Sequence, residues 1–543
     1  MSKKSFVGGA VILGIAGIIT KVIGAFYRIP LTNIIGSDGV GIYQEIYPIY
    51  ALLLVISTAG IPTGISKLVS AHYAKGDYRG AHRVFRTALV LLLLIGIVLS
   101  VAMYFGSGLI ASMVGDPQSA LAFQYLSPAI FFVAVFSAFR GYFQGQQIML
   151  PTASSQLMEQ LGKLTIGLML AAAWLPWGVE WGAAGTLLGV SFSELAAFLL
   201  LICIYVFTMR SRRQRIKKSV YVPRSQQPTF GRLSWNIVAI AIPVTIGAGI
   251  MPLMGFIDAV IIGNGLQGIG YSIDSARSLY GLLTGVATTL VAMPSVLASA
   301  LQMSLVPAIS HAKEKRDKTG VRMSSLVGVK LALYISLPCA VGLFALAEPI
   351  IRCLYSAGLT PEEITRSAQL LQQLSFSIIF LTLDLTTTGI LQGLGKVMVP
   401  VFNLFIGAVF KVVISLLLIR IPSINITGAI VGTIACYFIS SSLNVWQVSR
   451  RTRMPFKFVD CVVKPVIAVA VMGVFAYLFN LWLSPVTGKW VALGAGIGGG
   501  VLTYFVMVLI LGGLKPEDLD MIPGGGKLKR FVKPRDTKKG RER

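Results

Sequence analysis

Runs of about 20 apolar residues, broken by short polar segments, recur from one end of this chain to the other, and a helix of that length crosses the hydrocarbon core of a bilayer. They fall at residues 6–28, 41–71, 87–112, 120–142, 152–175, 182–209, 235–264, 275–308, 325–347, 365–392, 398–420, 427–449, 459–483 and 489–513. The pattern predicts an all-α polytopic membrane protein of about 14 transmembrane helices, with ends good to a few residues. Several runs exceed the bilayer thickness and are expected to tilt or project beyond it. The first run opens on Lys3 and Lys4, as a signal peptide does. It has no small-residue cleavage site and continues through Lys21 to Arg28, so a retained first helix is expected.

The polar segments alternate in charge. Lys75, Arg79, Arg83 and Arg86 follow the second run, and Arg210, Arg212, Arg213, Arg215, Lys217, Lys218, Arg224 and Arg232 the sixth. Lys313, Lys315, Arg316, Lys318 and Arg322 follow the eighth, and Arg450, Arg451, Arg453 and Lys457 the twelfth; the tail from Lys515 is basic too. The opposite connections hold Asp38, Asp116, Glu180, Asp274, Glu348, Glu362 and Glu363. By the positive-inside rule both termini are expected in the cytoplasm, as an even helix count requires. The formal charge of +26 would suit a nucleic-acid partner, but its placement in alternate loops reads as topogenic, and no such partner is expected. Composition agrees: 55% of residues are hydrophobic, 13% are charged and the mean hydropathy is +0.77, against ~25% charged in soluble domains. Cys203, Cys339, Cys353, Cys436 and Cys461 show no CxxC or zinc spacing and are expected as small core residues. His72, His82 and His311 lie in or beside basic loops without metal spacing and are expected on the solvated surface.

The two halves echo each other. Gly141-Tyr142-Phe143-Gln144-Gly145, before Pro151 and Lys163, is matched by Gly389-Ile390-Leu391-Gln392-Gly393, before Pro400 and Lys411; Ala74-Lys75 is matched by Ala312-Lys313. The echo pairs span four with ten and span two with eight. It therefore predicts two six-helix lobes in parallel orientation, at 1–209 and 235–450, joined by a basic cytoplasmic linker at 210–234. Two additional spans at 451–513 and a basic cytoplasmic tail at 514–543 complete the chain. Parallel repeats fit an alternating-access transporter with its site between lobes. The linker's Lys/Arg run reads either as topogenic or as a contact for anionic lipid headgroups.

Lys21, Arg28, Glu45, Lys67, Arg140, Glu159, Lys163, Glu194, Asp258, Arg277, Lys330, Asp384 and Lys411 interrupt the apolar runs. Each such charge at mid-membrane costs roughly 2.5–3.5 kcal/mol, so it is kept for a watery cavity, a partner or a charged cargo. In the first lobe Lys21, Arg28, Lys67, Arg140 and Lys163 outnumber the acids, which points to an anionic cargo. Glu159 and Lys163, spaced i,i+4, are expected to pair on one helix face with Arg140 nearby as a structural clamp. Glu45 and Glu194 either neutralise nearby cations or carry a proton. Asp258 and Asp384, with Thr386, Thr387, Thr388 or Asn403, form a possible cation site, or serve as hydrogen-bonded structural acids. There is no P-loop, nucleophile motif or metal constellation, so neither ATP hydrolysis nor a resident cofactor is expected. A membrane glycosyltransferase, which would need clustered acids, is the weak competitor.

Arg140-Gly141-Tyr142-Phe143-Gln144-Gly145-Gln146-Gln147, followed by Pro151-Thr152-Ala153, Ser155-Gln156 and Glu159-Gln160, resembles the multidrug/oligosaccharidyl-lipid/polysaccharide flippase superfamily. More narrowly it resembles the stage V sporulation protein B branch of polysaccharide transporters, relatives of the lipid II flippases. Gly36-Ser37-Asp38-Gly39-Val40-Gly41-Ile42-Tyr43, the stretch from Gly60-Ile61-Pro62 to Ser66-Lys67-Leu68-Val69-Ser70, and Leu175-Pro176-Trp177-Gly178-Val179-Glu180 also fit that branch. The resemblance implies two six-helix lobes around a central cavity, two extra C-terminal helices, a bacterial cell membrane location, and outward flipping of an undecaprenyl-pyrophosphate-linked sugar. It carries cavity cations onto Lys21, Arg28, Lys67 and Arg277 as pyrophosphate ligands. Two of these are Lys, which lacks the planar fork for bidentate phosphate binding. Lipid II, for peptidoglycan or spore cortex, is the expected cargo. Another lipid-linked polysaccharide, or cation-coupled drug export within the same superfamily, are the alternatives. Coupling to Na⁺, H⁺ or the membrane potential is expected, with membrane lipids as surroundings and a monomer as the working unit.

Overall fold

The computed structural model describes residues 3–58, 60–220, 223, 227–454 and 458–513. The expected tail at 514–543, with Arg224 and Lys457, lies outside the described residues. Among the described residues the chain is helical and holds no strand. Eleven helices among the described residues are long and apolar enough to cross a membrane, or twelve if Pro361–Ser375 and Ser377–Gly393, bent by 42°, are one span. Fourteen runs are compatible with that number for two local reasons. Ile12–Ala74 is one helical stretch by apolarity, yet its backbone breaks at Gly36 (φ 69°, ψ −175°). The run at 152–175 is cut into Leu150–Gly162, a π-helical turn Lys163–Gly167, and Leu168–Trp174.

The helices group into two compact units. The first holds Met1–Val286 with Ala357–Leu359 and Leu416–Ile426. It comprises α1 (Lys3–Thr58), α2 (Ile61–Ala74), α3 (Tyr78–Val114), α4 (Ser119–Gly145), α5 (Leu150–Gly162), α6 (Leu168–Trp174), α7 (Val179–Phe207), α8 (Met209–Lys217), α9 (Phe230–Gly268) and α10 (Ile273–Gly281). Helix α4 lies against α2, α3 and α7 around Ile65, Phe85, Phe136, Phe139 and Tyr142. Lipid tails are as apolar as leucine, so association in a bilayer rests on close packing and polar pairs rather than on escape from water. Helix α10 shows this where it crosses α1. A Cβ on Gly281 would lie 2.2 Å from the Ser37 carbonyl oxygen, and one on Gly41 2.4 Å from that of Arg277. The Ser278 and Ser37 hydroxyls, 2.9 Å apart, close the same contact. At the turn between α6 and α7, Trp174, Trp177 and Trp181 stand 5.7–5.9 Å apart by ring centroid, with Tyr125 5.3 Å from Trp174.

The second unit holds Ala287–Ser356, Thr360–Ser415 and Thr427–Arg543. Its helices are α11 (Thr288–Glu314), α12 (Lys318–Ala345), α13 (Ala347–Tyr355), α14 (Pro361–Ser375), α15 (Ser377–Gly393), α16 (Met398–Ile419), α17 (Thr427–Thr452), α18 (Lys464–Thr487) and α19 (Lys489–Ile510). Helix α15 packs against α11, α12 and α17; α18 and α19 pair with each other, and α18 lies on α12. Helix α14 begins with a full capping box between Thr360 and Glu363. The packing units divide the chain at Val286 rather than at the basic linker, because α9 and α10 lie against α1.

The turns of the sequence echo have the same geometry in both halves. Asp77 caps α3 through Gly80 N–H at 2.8 Å and Asp317 caps α12 through Gly320 N–H at 2.8 Å, each preceded by a left-handed residue, Gly76 (φ 70°) and Arg316 (φ 57°). Gln147 (φ 63°) and Gly395 (φ 75°) occupy equivalent left-handed positions after α4 and α15.

Candidate functional site

Within the first unit the charged residues fall into two buried networks and one exposed set. The first network is built where α3 ends and α10 begins. Gly115 (φ 88°) closes α3 in a left-handed cap and turns Asp116 inward, while Ser272 caps α10 through Ser275 N–H. The Arg277 guanidinium, one turn along α10, donates to Asp116 Oδ2 (3.2 Å), Gln118 Oε1 (2.6 Å) and Asp274 Oδ1 (2.7 Å). The Arg277 and Asp116 side chains are 6% and 2% exposed. Glu45 is buried within electrostatic reach of both, and its Oε2 has no hydrogen-bond partner. One cation therefore serves several carboxylates.

The second network joins α4, α5 and α7 with α1. Arg140 donates to Ser155 Oγ at 2.9 Å, pairs with Glu159, and lies 4.3 Å from the Phe136 ring centre. Lys163 Nζ lies 3.0 Å from Glu194 Oε1, to which the Tyr50 hydroxyl donates at 3.3 Å. The expected Glu159–Lys163 pair along one helix face is therefore not what forms: each partner binds across to another helix, and Lys163 opens the π-helical turn, which departs from i,i+4 spacing. Tyr50 ends a string of rings, Tyr27–Tyr43–Tyr47–Tyr50, with centroids 6.4, 5.6 and 6.0 Å apart. The Arg28 guanidinium lies 6.0 Å from the Tyr47 ring centre and is half-buried. Lys21 on α1 and Lys67 on α2 are exposed. Hydropathy could not signal the tyrosine string, Gln118 or Tyr50, although the four tyrosines do lie on spans one and two.

Asp258 lies in the first unit, whereas Asp384 and Asn403 belong to the second. Asp384 is buried, and its Oδ1 accepts from Ser440 Oγ (2.6 Å) and Asn444 Nδ2 (2.9 Å). Asn403 donates to Asn444 Oδ1 at 2.8 Å, so Asn444, which the sequence reading missed, links the two predicted residues. Thr387 turns back to carbonyls of its own helix. Among the described residues no group of three or more His, Cys, Asp or Glu is placed to hold a metal. Two of the histidines differ from the expectation of a solvated surface: His72 Nδ1 sits 2.8 Å from Asp77 Oδ2, and His82 packs against the Phe85 and Tyr142 rings. Cys203 is exposed, whereas Cys353, Cys436 and Cys461 are buried.

Among the described residues this is an all-helical membrane fold with charge pairs held inside it, and known proteins share the fold. The solved structure described as an inward-facing MATE multidrug transporter of the MOP superfamily superposes with a TM-score of 0.66 at 13% identity, covering 80% of this chain and 94% of that one. The lipid II flippase MurJ in an inward closed conformation superposes with a TM-score of 0.65 at 15% identity, covering 92% and 98%. At these identities the likeness concerns the fold. In sequence, the chain is 26% identical to stage V sporulation protein B of Bacillus subtilis (strain 168), over 97% of this chain and 99% of that protein. It is 26% identical to the lipid II flippase MurJ of the same organism, over 93% and 95%. A MatE family model matches residues 283–417, and the polysaccharide biosynthesis protein model matches residues 6–313, more than half of the chain. The chain is a multi-span membrane protein that belongs to the polysaccharide biosynthesis protein family.

Proposed function

We propose that this chain is a flippase, not an enzyme, for a lipid-linked saccharide with an anionic linkage, working in a bacterial cell membrane with both termini cytoplasmic. The observation that carries the reading is end-to-end similarity to a lipid II flippase and to a sporulation protein of the same length class. The chemistry of the first unit supports it. Exposed Lys21 and Lys67 and the half-buried Arg28 present positive charge on spans one and two, suited to charge-assisted contacts with phosphate oxygens. Arg277 would join them only on leaving Asp116 and Asp274. An acidic cavity, as cationic drugs would require, is not what these helices offer. The finer reading is an undecaprenyl-pyrophosphate-linked cell-wall precursor, lipid II above all. Moving such an anion outward releases roughly 2.3 kcal/mol per charge per 100 mV of inside-negative potential, so no nucleotide is needed.

The test is expression in cells depleted of their own lipid II flippases, with lipid II exposed on the outer leaflet as the readout. Rescue by the wild type and loss of rescue in Arg28→Ala, at equal membrane abundance, is the expected outcome. No rescue by an abundant wild type removes lipid II and leaves another lipid-linked glycan.

We assign cation coupling to the second unit. Asp384 is a buried carboxylate whose described contacts are neutral groups, and an ionised group so placed is costly without a counter-ion or proton. Asp384→Asn is expected to abolish any Na⁺ or pH dependence of flipping in proteoliposomes; unchanged dependence removes Asp384 from coupling.

A further inference from the structure

A groove of about 530 Å³ lies beside the turn that joins α4 to α5, remote in sequence from the cations assigned to the cargo. Phe143, Leu150, Leu200 and Ile204 form its apolar wall, and Ser211 and Arg215 of α8 its polar rim. Leu150 is 65% exposed, as an apolar side chain is where lipid rather than water covers it. Helix α8 reads Met-Arg-Ser-Arg-Arg-Gln-Arg-Ile-Lys, with no acid, and Arg213, Arg215 and Lys217 are exposed. Ser211 and Arg215 are four residues apart and so share the helix face that lines the groove. On the cytoplasmic assignment of this basic segment, α8 and the α4–α5 turn lie at the inner-leaflet interface, and Leu200 and Ile204 of α7 lead from it toward the acyl chains.

We infer that this groove is a binding site for an anionic membrane phospholipid of the inner leaflet. An acyl chain lies along Phe143, Leu150, Leu200 and Ile204, and the phosphate is held by Arg215 and the Ser211 hydroxyl. Charge selects the occupant: basic residues beside a bilayer attract anionic headgroups, and the wall beneath Arg215 is apolar over most of its area. A zwitterionic lipid carries the same phosphate but brings its own cation to a rim that already holds Arg213, Arg215 and Lys217, so the net positive charge of that rim stays uncompensated. The site is independent of the flippase reading, since none of its residues is assigned to the cargo.

The full chain, reconstituted in nanodiscs of phosphatidylcholine with one fifth phosphatidylglycerol and then released for native mass spectrometry, reports which lipid stays bound. The wild type is expected to retain phosphatidylglycerol several-fold above its share of the bilayer. Arg215→Glu is expected to lose that enrichment. Leu150→Trp, which adds bulk at an exposed position and leaves every charge in place, is expected to lose it as well, with melting temperatures unchanged in both. Lys315→Glu, on a different basic loop, is expected to keep it. Enrichment that survives Leu150→Trp, or falls equally in Lys315→Glu, reduces the effect to general attraction between a basic surface and anionic lipid and overturns the site. Displacement of phosphatidylglycerol by stoichiometric undecaprenyl phosphate overturns the occupant and gives the groove to the transported lipid.

Discussion

Removing the guanidinium of Arg277 leaves Asp116 and Glu45 buried without the cation that serves both. Truncating one side of a buried ion pair costs about 3–5 kcal/mol, because the remaining charge is uncompensated, whereas replacing both sides by apolar residues is often neutral. Arg277→Ala is therefore expected to lower the thermal midpoint in detergent by several degrees, and Arg277→Met with Asp116→Leu and Glu45→Gln to recover much of that loss. Equal destabilisation by the single and triple changes would show that the cluster is not the relevant unit. Asp274, 70% exposed in the same cluster, contributes little. The family resemblance carried a cargo-ligand role onto Arg277, and a cation in an apolar run does not by itself name its partner. Asp116 lies more than 150 positions away and looked like an ordinary loop acid. Long-range pairing of this kind is not encoded in local pattern, and the same gap hid Asn444 behind Asp384.

At the scale of elements, hydropathy located most of the helices, but not all of their ends, since α3 begins at Tyr78 rather than 87 and helix runs on from Lys3 to Thr58 across the gap between the first two runs. The π-helical turn at Lys163–Gly167 changes register inside the run at 152–175, which no change of composition marks, whereas the break at Gly36 falls in the polar connection between the first two runs, where helix continues on both sides. The combination of φ 69° and ψ −175° at Gly36 is open essentially to glycine alone. Gly36→Ala is expected to cost ~1–3 kcal/mol, read as earlier unfolding, with flipping reduced if the bend also sets the angle of the half-helix bearing Glu45. Gly281→Val probes the neighbouring contact, where the backbones of α10 and α1 nearly touch. The repeated turns were more legible. Asp77 and Asp317 are capping residues whose type and spacing from Gly80 and Gly320 carry the geometry by themselves.

For the whole molecule the testable matter is topology. In a variant lacking the five native cysteines, Ser219→Cys and Lys315→Cys are expected to react with impermeant maleimide only after the inner face is exposed. Ser356→Cys is expected to react in intact cells. Labelling of Ser219→Cys from outside would invert the orientation and move the lipid groove beside α8 to the outer leaflet. The fold class was readable because a bilayer forces long uninterrupted apolar helices. The grouping into two units was not, since α9 and α10 follow the basic linker in sequence yet pack with the helices that precede it.

Three of the seven tryptophans crowd the turn between α6 and α7. Rings this close exchange excitation, so the chain's intrinsic ultraviolet emission and near-ultraviolet circular dichroism are weighted toward a single spot near Leu175–Trp177. Heating or binding experiments followed by tryptophan light will therefore report first on that corner of the molecule, and opening of this one turn would register as a large optical change while the remaining helices stay folded.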